Sequence, residues 1–406
     1  MAARVTARRS SRSAARLLLL ALKDRLRAAK RRFARPVRVL DATRRPQSPG
    51  ALLSYLAAPL GFAADDPRLA GHTNAWECTA VARSVRERGY ALDAIDWSDD
   101  AFAPRREYGV VFDLHRNLER LAERAEIRWM HLTGGHPRFA YAAERARLDA
   151  LAARRGVRLA PRRSFDEADV ARFDRSLAHA TVVTMLGDAV TQSTYDGIGV
   201  RIERMAVTAS PVTPRARDDD FHDRTFLWFA GSGAVHKGLD RVLEVFARHP
   251  ELTLHCVGPY EAERDFAAAY RRELYELPNI VSHGWMLPSD PRFRAIASQA
   301  AAFVLPSASE SMSTAAATCL AFGLIPIVTA RCGMDLPPGL GYVLDDEAAG
   351  LDEAILDLSA RPRADVATLI GRTREHARRR HSREAFSARM DQLMAQYLPR
   401  ARQHGA

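Results

Sequence analysis

Residues 226–238 read Phe-Leu-Trp-Phe-Ala-Gly-Ser-Gly-Ala-Val-His-Lys-Gly and decide the fold class. The apolar start predicts a buried strand that ends in a glycine-rich loop, and the pattern of residues 238–248 predicts that a helix follows. Glycines let backbone N–H groups approach an anion, a helix N-terminus attracts one, and Lys237 adds positive charge. The stretch therefore predicts one strand–loop–helix unit of an α/β sheet with a phosphate site, and an ordinary tight turn is the alternative.

The use of lysine draws attention to the same loop. The chain has 406 residues and 60 basic side chains, of which three are lysines, and Lys237 is the one lysine after residue 50. An ammonium group is a compact, rotatable point charge, whereas a guanidinium is a rigid fork. A single lysine among arginines favours a site that requires this side chain.

A second stretch, Phe303-Val-Leu-Pro-Ser-Ala-Ser-Glu-Ser-Met-Ser-Thr314, has a related form. A predicted strand delivers Glu310 just before a predicted helix over residues 314–322. Small residues in the first turn leave N–H groups that could hold a phosphate, while Glu310 accepts hydrogen bonds from sugar hydroxyls. The alternative is that Glu310 only caps the helix.

The alternation of short apolar strands and helices runs through most of the chain. Such an order predicts parallel sheets with helices on both faces. A polar stretch with two prolines and a run of acidic residues interrupts it and is typical of a linker. We therefore predict a basic extension over residues 1–45, an α/β domain over 46–210, a linker over 211–224, a second α/β domain over 225–375 and a C-terminal helix over 376–406 that could return to the first domain.

The order of these motifs resembles that of the retaining glycosyltransferases of family four. The resemblance covers most of residues 220–400, and several units in the expected order are more specific than any one of them. They are the loop with Lys237, Cys256-Val-Gly258, Asn279-Ile-Val-Ser-His-Gly284, Pro306-Ser-x-x-Glu310 and Gly323-x-x-Pro326. The resemblance implies the GT-B fold, in which two Rossmann-like doubly wound domains face a cleft. It also implies that a sugar moves with retention from a nucleotide-sugar to a hydroxyl acceptor, without a bound metal or other cofactor.

The resemblance further implies roles for individual residues. Lys237 would neutralise the donor diphosphate, Glu310 would bind the donor sugar, and the backbone of residues 312–314 would cradle a phosphate. The donor-binding set is Gly231, Ser232, Gly233, Lys237, Gly258, Met312, Ser313, Thr314 and Thr318.

Two positions depart from the family pattern. Thr318 stands where a second glutamate commonly contacts the ribose, and Ser232 stands where an arginine often contacts phosphate. These departures leave open a degenerate GT-B protein that acts as a non-catalytic glycan-binding or scaffold protein. A phosphorylase or epimerase on the same fold is a further alternative, and pyridoxal phosphate on Lys237 would support the phosphorylase.

The first domain offers weaker candidates in its loops. His136 follows a predicted strand and a glycine pair, so it is a candidate catalytic residue on the acceptor or donor-sugar side. A loop histidine bonded to the backbone is the alternative. His72 and Asn74 are candidate acceptor-side residues, and the alternative is that Thr73 or Asn74 caps the following helix.

Positive charge is concentrated at the start of the chain. The net charge is +11, but residues 1–50 alone carry +13, so the remainder is nearly neutral at −2. Apolar residues recur every three or four positions between Leu19 and Phe33, which predicts a basic amphipathic helix on an anionic membrane surface. A disordered solubilising extension is the alternative. A nucleic-acid partner is not expected, because interleaved aromatic residues are lacking.

Cysteine usage and hydropathy bear on the compartment. The four cysteines form no CxxC motif, no secretory signal is evident, and the longest apolar run of the extension, residues 17–22, is too short to span a bilayer. We therefore expect a cytoplasmic protein, peripheral at the inner face of the plasma membrane. A glycan or lipid-linked acceptor in surface polysaccharide or glycolipid synthesis would fit that place.

Overall fold

Two parallel β-sheets connected by helices form two Rossmann-like domains, which confirms the predicted α/β fold class. The computed structural model describes residues 37–40, 49–104, 106–163, 166–212, 219–345 and 349–401. Apart from residues 37–40, the predicted basic extension lies outside the described residues.

The first domain is built on a seven-stranded sheet. Its strands are β1 (Arg38–Val39), β2 (Gly50–Tyr55), β3 (Ala91–Asp96), β4 (Tyr108–Asp113), β5 (Ala125–Leu132), β6 (Val182–Leu186) and β7 (Ile202–Met205). The spatial order is β1-β3-β2-β4-β5-β6-β7, with β1 antiparallel to β3 and the other pairs parallel. Arg38 in β1 also pairs with Asp99 at 2.6 Å. The predicted extension to residue 45 is therefore too long, because residues 38–39 belong to this sheet.

The second domain is built on a six-stranded parallel sheet. Its strands are β8 (His222–Phe229), β9 (Thr253–Val257), β10 (Ile280–Gly284), β11 (Ala300–Leu305), β12 (Ile325–Thr329) and β13 (Tyr342–Leu344). The spatial order is β10-β9-β8-β11-β12-β13. Between β8 and β11 the chain changes the side of the sheet to which it adds strands, although all strands stay parallel. Ligands of such sheets bind beyond the carboxyl ends of the strands at this reversal. Because β8 begins at His222, the last residues of the predicted linker over 211–224 are part of the sheet.

Capping residues mark the ends of several helices. For example, Ser313 caps one helix through its hydroxyl, and Gly323 ends the same helix at a φ of 85°. The α-helices are α1 (Thr73–Glu87), α2 (Leu118–Leu121), α3 (Pro137–Arg155), α4 (Glu167–His179), α5 (Ala189–Ser193), α6 (Leu239–Arg248), α7 (Arg264–Ala269), α8 (Arg271–Tyr275), α9 (Pro291–Gln299), α10 (Thr314–Phe322), α11 (Leu351–Ala360), α12 (Arg363–Arg380) and α13 (Arg383–Tyr397). Short 3-10 turns cover Ala58–Gly61, Pro67–Ala70, Ala122–Arg124, Tyr260–Ala262 and Ala330–Cys332.

The two C-terminal helices lead the chain back to the first domain. Helix α12 continues past the predicted domain end at residue 375, and the chain turns at residues 381–382. In α13, Phe386 packs edge-on against Trp76 of α1, with ring centroids 6.0 Å apart. Beyond α13, the hydroxyl of Tyr90 donates to the carbonyl of Pro399 at 3.1 Å. The end of the chain thus packs against α1 and the loop before β3.

The two domains contact each other along the cleft. The hydroxyl of Thr191 donates to the carbonyl oxygen of Ser311 at 2.5 Å, and the N–H of Val207 lies 3.4 Å from Sδ of Met312. Arg154 of α3 also pairs with the buried Asp240 of α6 at 2.9 Å. These contacts bring loops of the first sheet over the strand ends of the second.

Candidate functional site

A cavity of about 360 Å³ lies where the two domains meet, at the reversal of the second sheet. The loop after β8 and the loop after β11 form one wall, and loops of the first domain form the other. The lining residues are His72, Asn74, Thr133, Arg163, Leu186, Val207, Gly231, Ser232, Lys237, Glu310, Ser311, Met312, Ser313, Thr314 and Ala315.

Glycine allows the two loops of the second domain to lie against each other. Gly238 has a φ of 71°, and a Cβ at this position would stand 2.5 Å from the carbonyl oxygen of Pro306. Any other residue would push the loops apart and would strain the backbone. This close approach places Lys237, one residue earlier, beside Glu310.

Lys237 and Glu310 form an ion pair inside the cavity. The ammonium group donates to Oε1 of Glu310, to which the hydroxyl of Ser307 also donates at 3.0 Å. Both charged side chains are about nine-tenths buried. Burial lowers the pKa of Lys237, and Glu310 opposes that shift. Burial disfavours the Glu310 carboxylate, but the charge of Lys237 outweighs it, so the pKa of Glu310 lies below its ordinary value. Each residue therefore keeps its partner charged.

The first turn of α10 opens onto the same cavity. Ser313 is the N-cap, and its hydroxyl accepts from the N–H of Ala316 at 3.3 Å. Its own N–H is bonded to Cys332, so the N–H groups that can face a ligand come from Thr314 and Ala315. A helix N-terminus with N–H groups of this kind favours an anion.

The glycine loop after β8 is only partly open to a ligand. Gly231 and Ser232 line the cavity. By contrast, the N–H groups of Gly233 and Ala234 donate to the carboxylate of Glu263, at 2.6 Å and 3.1 Å. The predicted phosphate contact of Gly233 is therefore replaced by a contact within the protein.

Two other predicted donor-binding residues lie outside the cavity lining. Gly258 packs under Trp228, where a Cβ would stand 2.6 Å from the indole ring. Thr318 is buried, and its hydroxyl donates to the carbonyl of Thr314 at 2.8 Å and accepts from the N–H of Ser210 at 3.1 Å. Both positions serve packing, and the hydroxyl hydrogen of Thr318 is already donated within the protein and is not available to a ribose.

His136 also lies outside the lining of the cavity. Its Nδ1 accepts from the N–H of Arg138 at 3.3 Å, so Nε2 carries the proton and donates to Asp174 at 2.9 Å. The ring packs edge-on against Phe173 and Tyr195. The structure thus places this predicted catalytic residue as the N-cap of α3, outside the lining of the cavity that holds the Lys237–Glu310 pair.

His72 and Asn74 reach the cavity from the first domain. His72 is the N-cap of α1, since its Nδ1 accepts from the N–H of Asn74 at 3.2 Å. The sequence alternative named Thr73 or Asn74 as the helix cap. The structure shows that His72 is the cap instead. His72 is exposed at the cavity, although partial desolvation by its surroundings lowers the pKa of its ring.

Arg163 is a cavity residue that the sequence did not indicate. It follows α3 in a loop of the first domain, with no glycine pattern or strand end beside it. Only the tertiary structure brings it to Lys237 and Glu310, more than 70 residues away in the chain.

A second cavity of about 330 Å³ lies in the first domain and shares Thr133 with the first. Its aromatic floor includes Phe173 and Tyr195, whose rings stack with centroids 6.3 Å apart, and Trp97 at the side. Two arginines, Arg116 and Arg172, also line it. Each arginine is paired with a carboxylate, Arg116 with Asp100 at 3.0 Å and Arg172 with Asp169, so the aromatic faces are the feature of this cavity that would bind a ligand.

Two features are absent from the described residues. They contain no cluster of three side chains suited to hold a metal ion. Within the same ranges, no helix is both long and apolar enough to cross a membrane.

The fold and the site together define the protein as a GT-B protein with a ligand cavity between its two Rossmann-like domains. Residues 224–361, most of the second domain, match the family model described as Glycosyl transferases group 1. The chain thus carries a glycosyltransferase group 1 domain, which supports sugar transfer as its activity. Among curated proteins, none matches the sequence significantly.

Solved structures of the same fold cover most of the chain at low sequence identity. Sucrose-phosphate synthase from Thermosynechococcus elongatus is 16% identical, with a TM-score of 0.62, over 86% of this chain and 98% of that one. WaaG, a glycosyltransferase involved in lipopolysaccharide biosynthesis, is 14% identical, with a TM-score of 0.53, over 84% and 98%. Anabaena Alr3699/HepE in complex with UDP-glucose is 11% identical, with a TM-score of 0.52, over 85% and 99%. At these identities the likeness establishes the fold.

Proposed function

We propose that the protein transfers a sugar from a nucleotide-sugar to a hydroxyl acceptor with retention of configuration. The observation that carries the proposal is the buried Lys237–Glu310 pair beside the first turn of α10, at the reversal of the second sheet. Lys237 and the N–H groups of α10 face one anionic group, and Glu310 can accept hydrogen bonds from sugar hydroxyls. These are the contacts that a sugar diphosphate needs.

In the proposed reaction, the bond between C1 of the sugar and the diphosphate oxygen breaks. Its electron pair stays on the departing nucleoside diphosphate. The acceptor oxygen forms a bond to C1 on the same face, and its proton passes to a phosphate oxygen of the leaving group. Negative charge grows on the diphosphate as the bond breaks, so Lys237 and α10 stabilise the transition state more than the ground state.

Retention is supported by the carboxylates of the cavity. Glu310 is the one carboxylate among its described lining residues, and it is bound to Lys237. An inverting transfer would need a general base on the opposite face of the sugar to remove the acceptor proton. His72 is the one histidine among the described lining residues, but its Nδ1 already accepts from the N–H of Asn74.

We place the acceptor in the second cavity, because it opens beside the first at Thr133. A hydroxyl group at that junction would lie next to C1 of the donor sugar. The aromatic faces of the cavity favour a glycan or a lipid-linked sugar as the acceptor. His72 and Asn74 line the donor cavity on the first-domain side and would contact the acceptor there.

The reaction class can be tested with a panel of UDP-, GDP-, ADP- and CMP-sugars. We expect calorimetry to find one nucleotide class that binds, and NMR of the product to show the anomeric configuration of the donor. A folded protein that binds none of them would instead support the non-catalytic scaffold, which the engaged hydroxyl of Thr318 favours. Inversion at C1 would contradict the proposed retention but would leave the proposed sugar transfer intact. We also expect turnover to persist in EDTA, because Lys237 supplies the positive charge.

We further propose that the protein works at the cytoplasmic face of the plasma membrane, in surface polysaccharide or glycolipid synthesis. The basic residues of the extension support this location, since each contributes about 1 kcal/mol near an anionic surface. The full chain should float with vesicles of phosphatidylglycerol and phosphatidylcholine, and a chain that lacks residues 1–36 should not. Equal flotation of both would contradict the membrane proposal and leave the reaction untouched.

A further inference from the structure

The guanidinium of Arg163 enters the donor cavity from the first domain. Its Nε is fully buried, yet this nitrogen has no hydrogen-bond partner in the described part of the chain. The ion pairs of the described residues also include none with Arg163. A buried cationic nitrogen that lacks a partner carries a desolvation cost unless a ligand completes its bonding.

The backbone around Arg163 is held firmly in place. The carboxylate of Glu144, which is 1% exposed, accepts from the N–H of Arg163 at 2.7 Å and from that of Arg162 at 3.2 Å. The neighbouring Arg162 reaches across the cleft and pairs with Glu263 at 3.2 Å. Glu263 is the residue that binds the glycine loop at Gly233. Through Arg162 and Glu263, the backbone next to Arg163 is therefore connected to the glycine loop that precedes Lys237.

The charges of the cavity explain why a second cation is needed. Lys237 and Glu310 neutralise each other, so the pair alone offers no net charge to a diphosphate. Burial is the main cause that lowers the pKa of Lys237, and the positive charge of Arg163 adds to this shift. Arg163 and Lys237 line the same cavity, so both can reach a ligand there, and Arg163 makes the cavity net positive.

We propose that Arg163 binds the donor diphosphate together with Lys237 and replaces the cation that is missing at Ser232. The inference rests on the proposed donor site and adds a residue to it. Because the arginine belongs to the first domain, the diphosphate would be held by both domains at once.

The test compares Arg163→Gln with the matched control Arg158→Gln, which changes an exposed arginine of the same loop. UDP, GDP and ADP are titrated by calorimetry to find the nucleotide that the unaltered protein binds, and the matching nucleoside is titrated next. We expect Arg163→Gln to weaken binding of the nucleoside diphosphate about 10- to 100-fold, the effect of one charge-assisted contact to phosphate. Binding of the nucleoside and the thermal unfolding midpoint should not change, and the control should equal the unaltered protein.

A rescue variant separates a charge effect from a structural one. The added substitution Ser232→Arg, in an exposed part of the cavity wall, should restore most of the binding lost in Arg163→Gln. Equal diphosphate binding by Arg163→Gln and the unaltered protein would overturn the inference. So would a parallel loss of nucleoside binding that Ser232→Arg does not rescue. If the unaltered protein binds no nucleoside diphosphate, the proposed function itself is wrong. If the unaltered protein binds one and Arg163→Gln binds it equally well, only the inference about Arg163 is wrong.

Discussion

The two domains contribute to the cavity in different ways. In the second domain, Lys237 and Glu310 lie in the loops that follow strands β8 and β11, so each belongs to a continuous strand–loop–helix motif. In the first domain, His72 and Arg163 lie in long connections, and Arg163 follows a helix. A strand end fixes a loop residue through the sheet itself, whereas a residue in a long connection depends on side-chain anchors such as Glu144.

This difference separates two tasks. The second domain supplies a charge-balanced pair and a helix N-terminus, which can orient a sugar diphosphate. The first domain supplies the unbalanced cation and the aromatic cavity, which can set the strength of binding and the choice of acceptor. Substitutions in the two domains should therefore have different kinetic consequences.

The largest effect is expected at the ion pair of the second domain. Lys237→Met and Glu310→Gln should each lower kcat by about 10²- to 10³-fold, as the loss of a group that stabilises transition-state charge does. Steady-state kinetics with the donor that binds provides the measurement. Arg158→Gln serves as the exposed control. Unchanged turnover in both variants would show that the reaction does not depend on the Lys237–Glu310 pair. Loss in one variant alone would assign the chemistry to that residue.

A second prediction contrasts the buried carboxylates of the two domains. Glu310 has a cation beside it, but Glu77 of α1 has only neutral donors, the N–H and hydroxyl of Thr208, both at 2.8 Å. Burial raises the pKa of Glu77 to about 7 from an ordinary 4.5. The folded state thus holds a proton that the unfolded state has lost, so stability falls as the pH rises from about 4.5 to 7, by up to about 3 kcal/mol.

Glu77→Gln should remove this pH dependence. Urea unfolding at pH 5 and pH 8 should show that the free energy of unfolding of the variant, relative to that of the unaltered protein, rises by about 2 to 3 kcal/mol between the two pH values. The comparison is made against the unaltered protein because buried histidines such as His131 and His381, whose pKa values are lowered by burial, titrate equally in both proteins. Glu87→Gln on the exposed face of the same helix is the control and should keep the original pH dependence. If the free energy of unfolding of Glu77→Gln changes with pH as that of the unaltered protein does, ionisation of Glu77 does not destabilise the folded state.

The sequence predicted the second domain better than the first, for a physical reason. The strand–loop–helix order, Lys237 and Glu310 are local features, because a parallel sheet exposes the residues that follow its strands. Gly233 could not be assigned correctly, since its anion is Glu263, a side chain from another loop. Glycine spacing shows that a loop can hold an anion but not which anion it holds.

In the first domain, the residues that failed or were missed depend on distant partners. His136 follows a strand end and a glycine pair, yet its ring bonds to Asp174 on α4. Arg163 is one of many arginines, and composition gives no means to select it. Residue order in the chain carries little information about contacts of this kind, which form only when α3, α4 and the second domain pack together.

A third prediction concerns the connection between the domains at Glu263. Glu263→Gln should lower the free energy of unfolding by about 2 kcal/mol, because two loop N–H groups and Arg162 lose a charged partner. Urea unfolding measures the change. Glu276→Gln, in an exposed pair with Arg271, should have almost no effect. Equal stability of the two variants would show that the glycine loop does not need the carboxylate.

The smallest effect is expected in the second cavity, where it tests the division of tasks most directly. Trp97 lies at its side and packs against His115, with ring centroids 5.2 Å apart. Trp97→Ala should raise the acceptor KM about tenfold, since an aromatic contact contributes about 1 kcal/mol or slightly more. The donor KM and kcat at saturating acceptor should stay the same. Trp285→Ala, an exposed tryptophan of the second domain, is the matched control and should leave both KM values unchanged. A rise in the donor KM would mean that the two cavities act as one site, whereas a change confined to the acceptor would assign acceptor choice to the first domain.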